Sequence, residues 1–380
     1  MKVFKSICIF VLILSMLCCT GCWNYREVDN LSMVSGFAID KGQEGHKYRL
    51  TFELLNLTEG KPTPRLLVSE GDTIFDAIRN SISKTQKKLF FNHCKAVIIS
   101  KELAEEGIRP LLDFVVSDAE PRLTINYIVS NEKTAAEILQ VKPITDSLQV
   151  IEVWKTILLD EAQLSKTYAV RLYQTINILA SDGISLVLPC IKTNKNGISP
   201  ITELDGTAIF RQDKLIGHLN SKETKTFLFI RDKISGGLLL ANVDSLLPNV
   251  TLEIGESRTS LKPVIKNGIP SIDLSIDTKA TLSENISGQN YYTMDGIKKV
   301  EKTSADSLKK DINDLIKKIQ TEYGSDIFGF GSAINQDYPD WWDANKNNWD
   351  KTFRSLKCDV SVIVEIKSTS VTKSYIKVGE

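Results

Sequence analysis

The chain has 380 residues, with 47 Lys and Arg against 47 Asp and Glu and 42% apolar residues. That balance gives no electrostatic footprint for nucleic acid, whose binding needs clustered Lys and Arg on one face, and no polybasic patch for a membrane surface. The length exceeds what one core supports and implies two or three domains.

Residues 1–21 read as a leader. Lys2 and Lys5 form a positive start and Ser6 to Leu17 an apolar stretch. A membrane span needs roughly 20 apolar residues, so this one is too short to remain and fits a cleaved signal peptide. Thr20-Gly21-Cys22 places two small residues before a cysteine, the pattern of a bacterial lipoprotein signal, although Cys19 stands where leucine is more usual. Cys18 and Cys19 have no small pair before them, so Cys22 is the expected lipidation site. Cleavage removes two of the 47 basic residues and no acidic one, which leaves a formal charge near −2. Attachment to a bilayer must then come from the lipid. Each buried CH₂ contributes about 0.8 kcal/mol, so two or more acyl chains anchor stably.

Leu31 to Asp40 and Lys47 to Leu57 read as strands around the turn Lys41-Gly42-Gln43-Glu44-Gly45. A helical pattern through Ile74, Phe75, Ile78 and Ile82 follows, with Asp72 as its expected N-cap. Lys95 to Ser100 is a short buried strand, and Ser100 caps a helical stretch broken at Gly107 and restarted near Pro110. Leu123 to Val129 is a strand and Glu132 to Leu139 a helix. Two helices are marked by Val150, Val153, Trp154, Ile157 and Leu158 and by Val170, Tyr173, Ile176 and Leu179. Strands are expected at Ser185–Lys192, Gly206–Phe210, Leu215–Leu219 and Thr226–Asp232, with a hairpin turn at residues 211–214.

The last third reads as extended segments at Thr251–Ser257, Ser260–Lys266 and Ile269–Leu282. Then comes a long helix striped by Ala305, Leu308, Ile312, Leu315, Ile316, Ile319 and Tyr323. Lys309, Lys310, Lys317 and Lys318 lie off that stripe as a solvated face. Cys358 to Ile366 closes the chain as a strand. The expected fold class is α+β and multi-domain with mixed and antiparallel sheets: an N-terminal βαβαβ-like domain at 22–147, a middle α+β domain at 148–248, and a C-terminal sheet packed on a long helix at 249–380.

Chemistry-bearing motifs are sparse. His46, His93 and His218 lie in no His-Glu-x-x-His pattern and beside no second ligand at metal spacing. His93-Cys94 adjoin, but neighbours on a strand face opposite ways, which is wrong for a thiolate–imidazole pair. Phe328-Gly329-Phe330-Gly331-Ser332 follows a helix rather than a strand and reads as a helix stop and tight turn, not a phosphate loop. Cys94, Cys190 and Cys358 are far apart and odd in number, so they read as buried thiols, with one bridge left open. The aromatic group Tyr338-Pro339-Asp340-Trp341-Trp342, with Trp349, reads as a clamp of the long helix onto the sheet; a partner or ligand surface is its other reading. No catalytic residue, cofactor site or metal site is expected.

Together these segments resemble the Ger(x)C family of spore germination lipoproteins, the C subunits of nutrient germinant receptors. The resemblance rests on Gly21-Cys22-Trp23-Asn24-Tyr25-Arg26-Glu27, where the family usually has Asp at position 24, and on Gly36-Phe37-Ala38-Ile39-Asp40. It continues through Leu204 to Phe210, Lys214 to Leu219, Asp326 to Gly331, Tyr338-Pro339 and Trp349. Lys367-Ser368-Thr369-Ser370 departs from the family's closing Arg-Thr-Gly. The resemblance implies a non-enzymatic receptor subunit with an N-terminal lipid such as palmitate on Cys22. It would sit on the outer face of the spore inner membrane and work with integral-membrane A- and B-type subunits. A rival reading, a solute-binding lipoprotein that itself captures a small nutrient, predicts a cleft between domains.

Overall fold

The computed structural model describes residues 4–7, 31–43, 45–58, 60–117 and 120–369. Cys22 and the segment Trp23 to Glu27 therefore lie outside the described residues.

Three strands open the fold: β1 (Leu31–Lys41), β2 (Tyr48–Thr58) and β3 (Lys61–Gly71), an antiparallel meander. Positions 34–40 of β1 are buried without interruption, as expected of a strand covered on both faces. β3 was not expected. Its sequence, Lys-Pro-Thr-Pro-Arg-Leu-Leu-Val-Ser-Glu-Gly, carries two prolines, which lack the ladder donor and confine it to a sheet edge.

Helix α1 (Ile74–Asn80) follows, and its cap is Thr73, whose hydroxyl accepts from the Asp76 amide, rather than Asp72. The Asp72 amide instead donates to the Asp76 carboxylate at 3.0 Å. Next come α2 (Ile82–Thr85), β4 (Lys88–Phe90), β5 (Ala96–Ser100), α3 (Lys101–Glu106), α4 (Arg109–Ser117) and β6 (Asn126–Ser130). Ser100 does cap α3, with Gly107 ending it. His93 and Cys94 lie in a turn rather than on a strand, His93 exposed and Cys94 buried.

The chain continues through α5 (Ala136–Gln140), α6 (Gln149–Gln163), α7 (Leu172–Ala180), β7 (Val187–Asn194), β8 (Ile201–Arg211) and β9 (Lys214–Leu219). One nine-stranded sheet runs β3-β2-β1-β5-β6-β7-β8-β9, with β4 beside β1; β1, β5, β6 and β7 are mutually parallel. The sheet is continuous across position 147, because β7 pairs directly with β6.

The run Thr226–Asp232, expected as a strand, instead falls mostly in helix α8 (Ser221–Ile230). Asn220 and Glu223 make a reciprocal capping box, which satisfies two orphan amide donors and fixes a helix start. The apolar run Phe227 to Ile230 fits either state by pattern alone.

The second sheet holds β10 (Leu238–Ala241), β11 (Val250–Lys266) and β12 (Ile269–Asn285). β11 joins two expected segments into one bulged strand. Helix α9 (Met294–Lys318) packs on this sheet and runs into a π turn at Ile319–Tyr323, stopped by left-handed Gly324. Three short helices follow, α10 (Phe330–Asp337), α11 (Pro339–Asn345) and α12 (Trp349–Ser355), and then β13 (Lys357–Thr369). β13 lies parallel to β12 at the sheet's edge, with Val360 and Val364 buried. The architecture is α+β with two mixed sheets, the second covered by a long helix.

Candidate functional site: an interdomain lock and the cleft beside it

The segment Asp326 to Gly331 is a junction rather than a helix stop. The Asp326 carboxylate accepts from the amides of Gly329 at 2.9 Å, Phe330 at 3.2 Å and Gly331 at 2.8 Å. Those amides open α10, so the carboxylate occupies the place where a helix N-terminus would otherwise receive an anion. Burial nevertheless pushes the Asp326 carboxyl up, to about 6, against the pull of its three amide bonds and Arg231. The Arg231 guanidinium donates to the Phe328 carbonyl at 2.7 Å.

The same segment ties into the first sheet. The Ser185 amide donates to the Asp326 carbonyl at 2.7 Å, and the Ser325 hydroxyl donates to the Phe210 carbonyl at 2.8 Å. Gly183 and Gly331 touch through their backbones. A Cβ on Gly331 would lie 2.7 Å from Gly183 Cα and 2.8 Å from both Trp342 Cη2 and Trp349 Cε2. Trp342 and Trp349 are buried, and Trp341 donates its indole N–H to the Gly268 carbonyl at the β11–β12 turn, 3.0 Å away. Gln320 donates to the carbonyls of Phe353 and Leu356. The aromatic group thus packs on the Gly183–Gly331 contact and the β11–β12 turn, while Gln320 ties the end of the long helix to Phe353 and Leu356.

Beside this lock lies a cleft of about 960 Å³. Its walls are α4, the end of α7 with the loop through Leu186, the β8–β9 turn and the α11–α12 corner. Arg109 and Asp113 come from α4, Asp182 from the loop, and Lys346 and Asp350 from the corner. Trp349 lines it too, and its buried indole N–H has no acceptor among the described residues. Apart from Trp349, none of these residues carried a sequence signal. They come from four separated segments and share no motif.

A second cavity of about 490 Å³ holds Asn131, Cys190, Asp205 and His218. Here the Asp205 carboxylate is spoken for, by Lys192 at 2.8 Å and Asn131 at 2.7 Å. Lys192 and Asn131 hold it below the ordinary range against the opposing effect of burial. His218 bonds the Asp205 carbonyl. Among the described residues there is no group of three His, Cys, Asp or Glu placed to hold a metal ion. Cys94, Cys190 and Cys358 are free thiols; burial pushes Cys94 and Cys358 each up to about 12 and raises Cys190 as well. No described helix is long and apolar enough to cross a membrane.

Residues 24–193 match the spore germination protein N-terminal domain, and residues 205–370 match the spore germination B3/GerAC-like C-terminal family. The chain belongs to the Ger(x)C family. Spore germination protein KC of Bacillus subtilis is 27% identical over 98% of both chains, and spore germination protein B3 of the same organism is 27% identical over 95% of this chain and 97% of its own. The crystal structure of the GerBC protein matches with a TM-score of 0.58 at 22% identity, covering 87% of this chain and 97% of that one. It shares the fold. A role in spore germination follows from these relatives.

Three of the Ger(x)C marks, Gly36, Asp40 and Gly217, make close structural contacts. A Cβ on Gly36 would lie 2.5 Å from both the Ala96 carbonyl oxygen and Val150 Cγ1, so α6 can seat on β1 only over a glycine. Asp40 accepts from the amides of Ala135 at 2.6 Å and Ala136 at 3.0 Å, fixing the start of α5. Gly217 lies under Tyr323, with 2.1 Å between a built Cβ and the ring.

Proposed function

We propose that this Ger(x)C protein is a lipid-anchored, non-enzymatic subunit of a nutrient germinant receptor. Cys22 carries the lipid on the outer face of the spore inner membrane, and the folded domains contact integral-membrane subunits of the A and B types. The observation that carries this reading is the end-to-end match to proteins named for spore germination. Two further features support it. Thr20-Gly21-Cys22 follows a leader too short to span a bilayer. Three of the family marks are absorbed by helix starts and close backbone contacts, which suits a scaffold whose shape is its product.

The test compares nutrient-triggered dipicolinic acid release from wild-type, deletion and Cys22→Ala spores. The deletion is expected to lose the response to some nutrients while a receptor-independent trigger still works. Cys22→Ala is expected to reduce the response and the amount of protein that sediments with membranes. Normal germination of the deletion with every nutrient, in a strain lacking related receptors, would reject the reading.

A further inference from the structure

Exposed apolar side chains gather at one end of the second sheet. The β10–β11 loop, residues 242–249, presents Leu246 at 97% and Leu247 at 74% exposure. Beside it lies the β12–α9 connection, residues 286–293, where Ile286 is 69% exposed and Met294, the first residue of α9, 77%. Hydrogen bonds join the two loops. The Ile286 amide donates to the Asn249 carbonyl at 3.0 Å, and the Tyr291 hydroxyl donates to the Asp244 carboxylate at 3.1 Å. Single exposed leucines are ordinary on a protein surface, whereas an apolar group of this kind marks a contact.

Two features separate this tip from an ordinary surface loop. Its two connections hold one charged residue in sixteen, in a chain that is 25% charged. That residue is Asp244, and the Lys299 ammonium of α9 pairs with it. The tip also spends its polar groups on itself. Asn249 exchanges two bonds with the backbone of Val243, at 2.7 and 2.9 Å, and Asn242 donates to the Leu246 carbonyl at 3.1 Å. The Leu247 amide donates to the Ser245 hydroxyl at 3.2 Å, and Asn285 donates to the Gln289 carbonyl at 2.8 Å. A backbone that leaves water for lipid must be satisfied internally in this way. Charges resume behind the tip on the first turns of α9, with Asp295 and Glu301 against Lys298 and Lys302.

We propose that this tip inserts into the headgroup–acyl boundary of a lipid bilayer, with Leu246, Leu247, Ile286 and Met294 on the hydrocarbon. A stable protein interface takes about 20–30 residues a side, and polar groups give it hydrogen bonds; the tip offers four apolar side chains and asparagine amides already in use. Insertion of an apolar face needs only buried area. The setting rests on the lipid reading of Cys22, which leaves eight residues before β1. A chain of that length reaches at most about 30 Å, so the bilayer is the surface this protein meets at high effective concentration. The tip then adds a second attachment and fixes how the domains face their membrane partners. Mixed charges behind it give no preference for anionic lipid.

The test uses residues 23–380 with a hexahistidine tag in place of the lipid, held by a nickel-chelating lipid on phosphatidylethanolamine–phosphatidylglycerol vesicles. The tether is then present whether or not Cys22 is acylated. Leu247→Cys and Ile286→Cys carry an environment-sensitive fluorophore, and Ile198→Cys, on the exposed β7–β8 loop, is the reference. Signal from the unsubstituted chain is subtracted. Both tip labels are expected to shift to the blue and to be quenched by brominated acyl chains several-fold more than the label at position 198. Without the nickel lipid, the pair Leu246→Ser and Leu247→Ser should lower partition onto the vesicles about tenfold or more. Both side chains are exposed, so the double variant should fold. Added salt should leave the partition of the unsubstituted chain unchanged. Tip labels quenched no more than the reference, partition unchanged by the double variant, or partition abolished by salt would overturn the proposal. Shielding of the tip labels only when integral-membrane subunits are present would also overturn it, in favour of a protein contact. Tip insertion together with full germination of Cys22→Ala spores would reject the lipid reading alone.

Discussion

Buried carboxylates are the residues on which this structure leans hardest, and Asp326 shows what they cost. Its three amide bonds favour the ionised form, yet complete burial raises its pKa to about 6 from the ordinary 3.8. The native state therefore holds a proton between about pH 4 and 6 that the unfolded chain has released. Stability contributed by this group must fall as pH rises through that window and level off above it. A shift of this size corresponds to about 3 kcal/mol at most. Asp326→Asn cannot ionise, so the stability of wild type minus that of the variant should fall by up to that amount between pH 4 and 7. Urea denaturation at four pH values across the window measures it. Parallel pH profiles for the two proteins would mean that the amide bonds cancel the effect of burial. The sequence placed Asp326 within a recognisable mark but could not reveal its partners, which belong to a turn that only the fold closes.

At the scale of elements, distant carboxylates start helices that local sequence does not. Leu148, at the start of α6, has no side-chain acceptor to offer. Its place is taken by Glu53 of β2, which accepts from the amides of Gln149 at 2.7 Å and Val150 at 3.1 Å and from the Ser35 hydroxyl. Such a cap is invisible in sequence, since 96 residues separate the partners. Local caps are legible in part: Ser100 stands out before α3, whereas α1 is capped by Thr73 and not by its neighbour Asp72. The box Asn220 to Glu223 was as clear, and its neglect is why α8 was expected as a strand. Glu53→Ala should leave two buried amides unmet and destabilise the protein by about 2–4 kcal/mol. The first turn of α6 should lose hydrogen-exchange protection before the rest of that helix. If protection at residues 149–153 is unchanged, water or another acceptor has replaced the carboxylate and Glu53 is no cap.

For the whole molecule, strand and helix positions were mostly legible because alternation and the 3.6 period leave local marks. The pairing of those elements was not. Expected boundaries at 147 and 248 follow shifts in pattern, whereas the sheet continues through the first and β10 enters the second sheet before the other. The two family matches divide between residues 193 and 205, inside the β7–β8 hairpin. They cannot mark independently folding halves, for the division cuts a ladder and strips β8 and β9 from β7. One buried cluster runs from Val34 through Phe210 and Phe328 to Val360, so both sheets share a core. A single cooperative transition is therefore expected, the far-ultraviolet signal of the whole chain coinciding with tryptophan fluorescence dominated by the lock. Gly331→Ala probes the link directly. Its Cβ would meet Gly183 Cα at 2.7 Å and two tryptophan rings at 2.8 Å, and overpacking of this kind costs about 1–3 kcal/mol. If the lock couples the halves, the variant moves both transitions together to lower denaturant. If instead only the fluorescence transition moves, the sheets unfold separately, and the lock is a local contact that a receptor partner could open without loosening the rest.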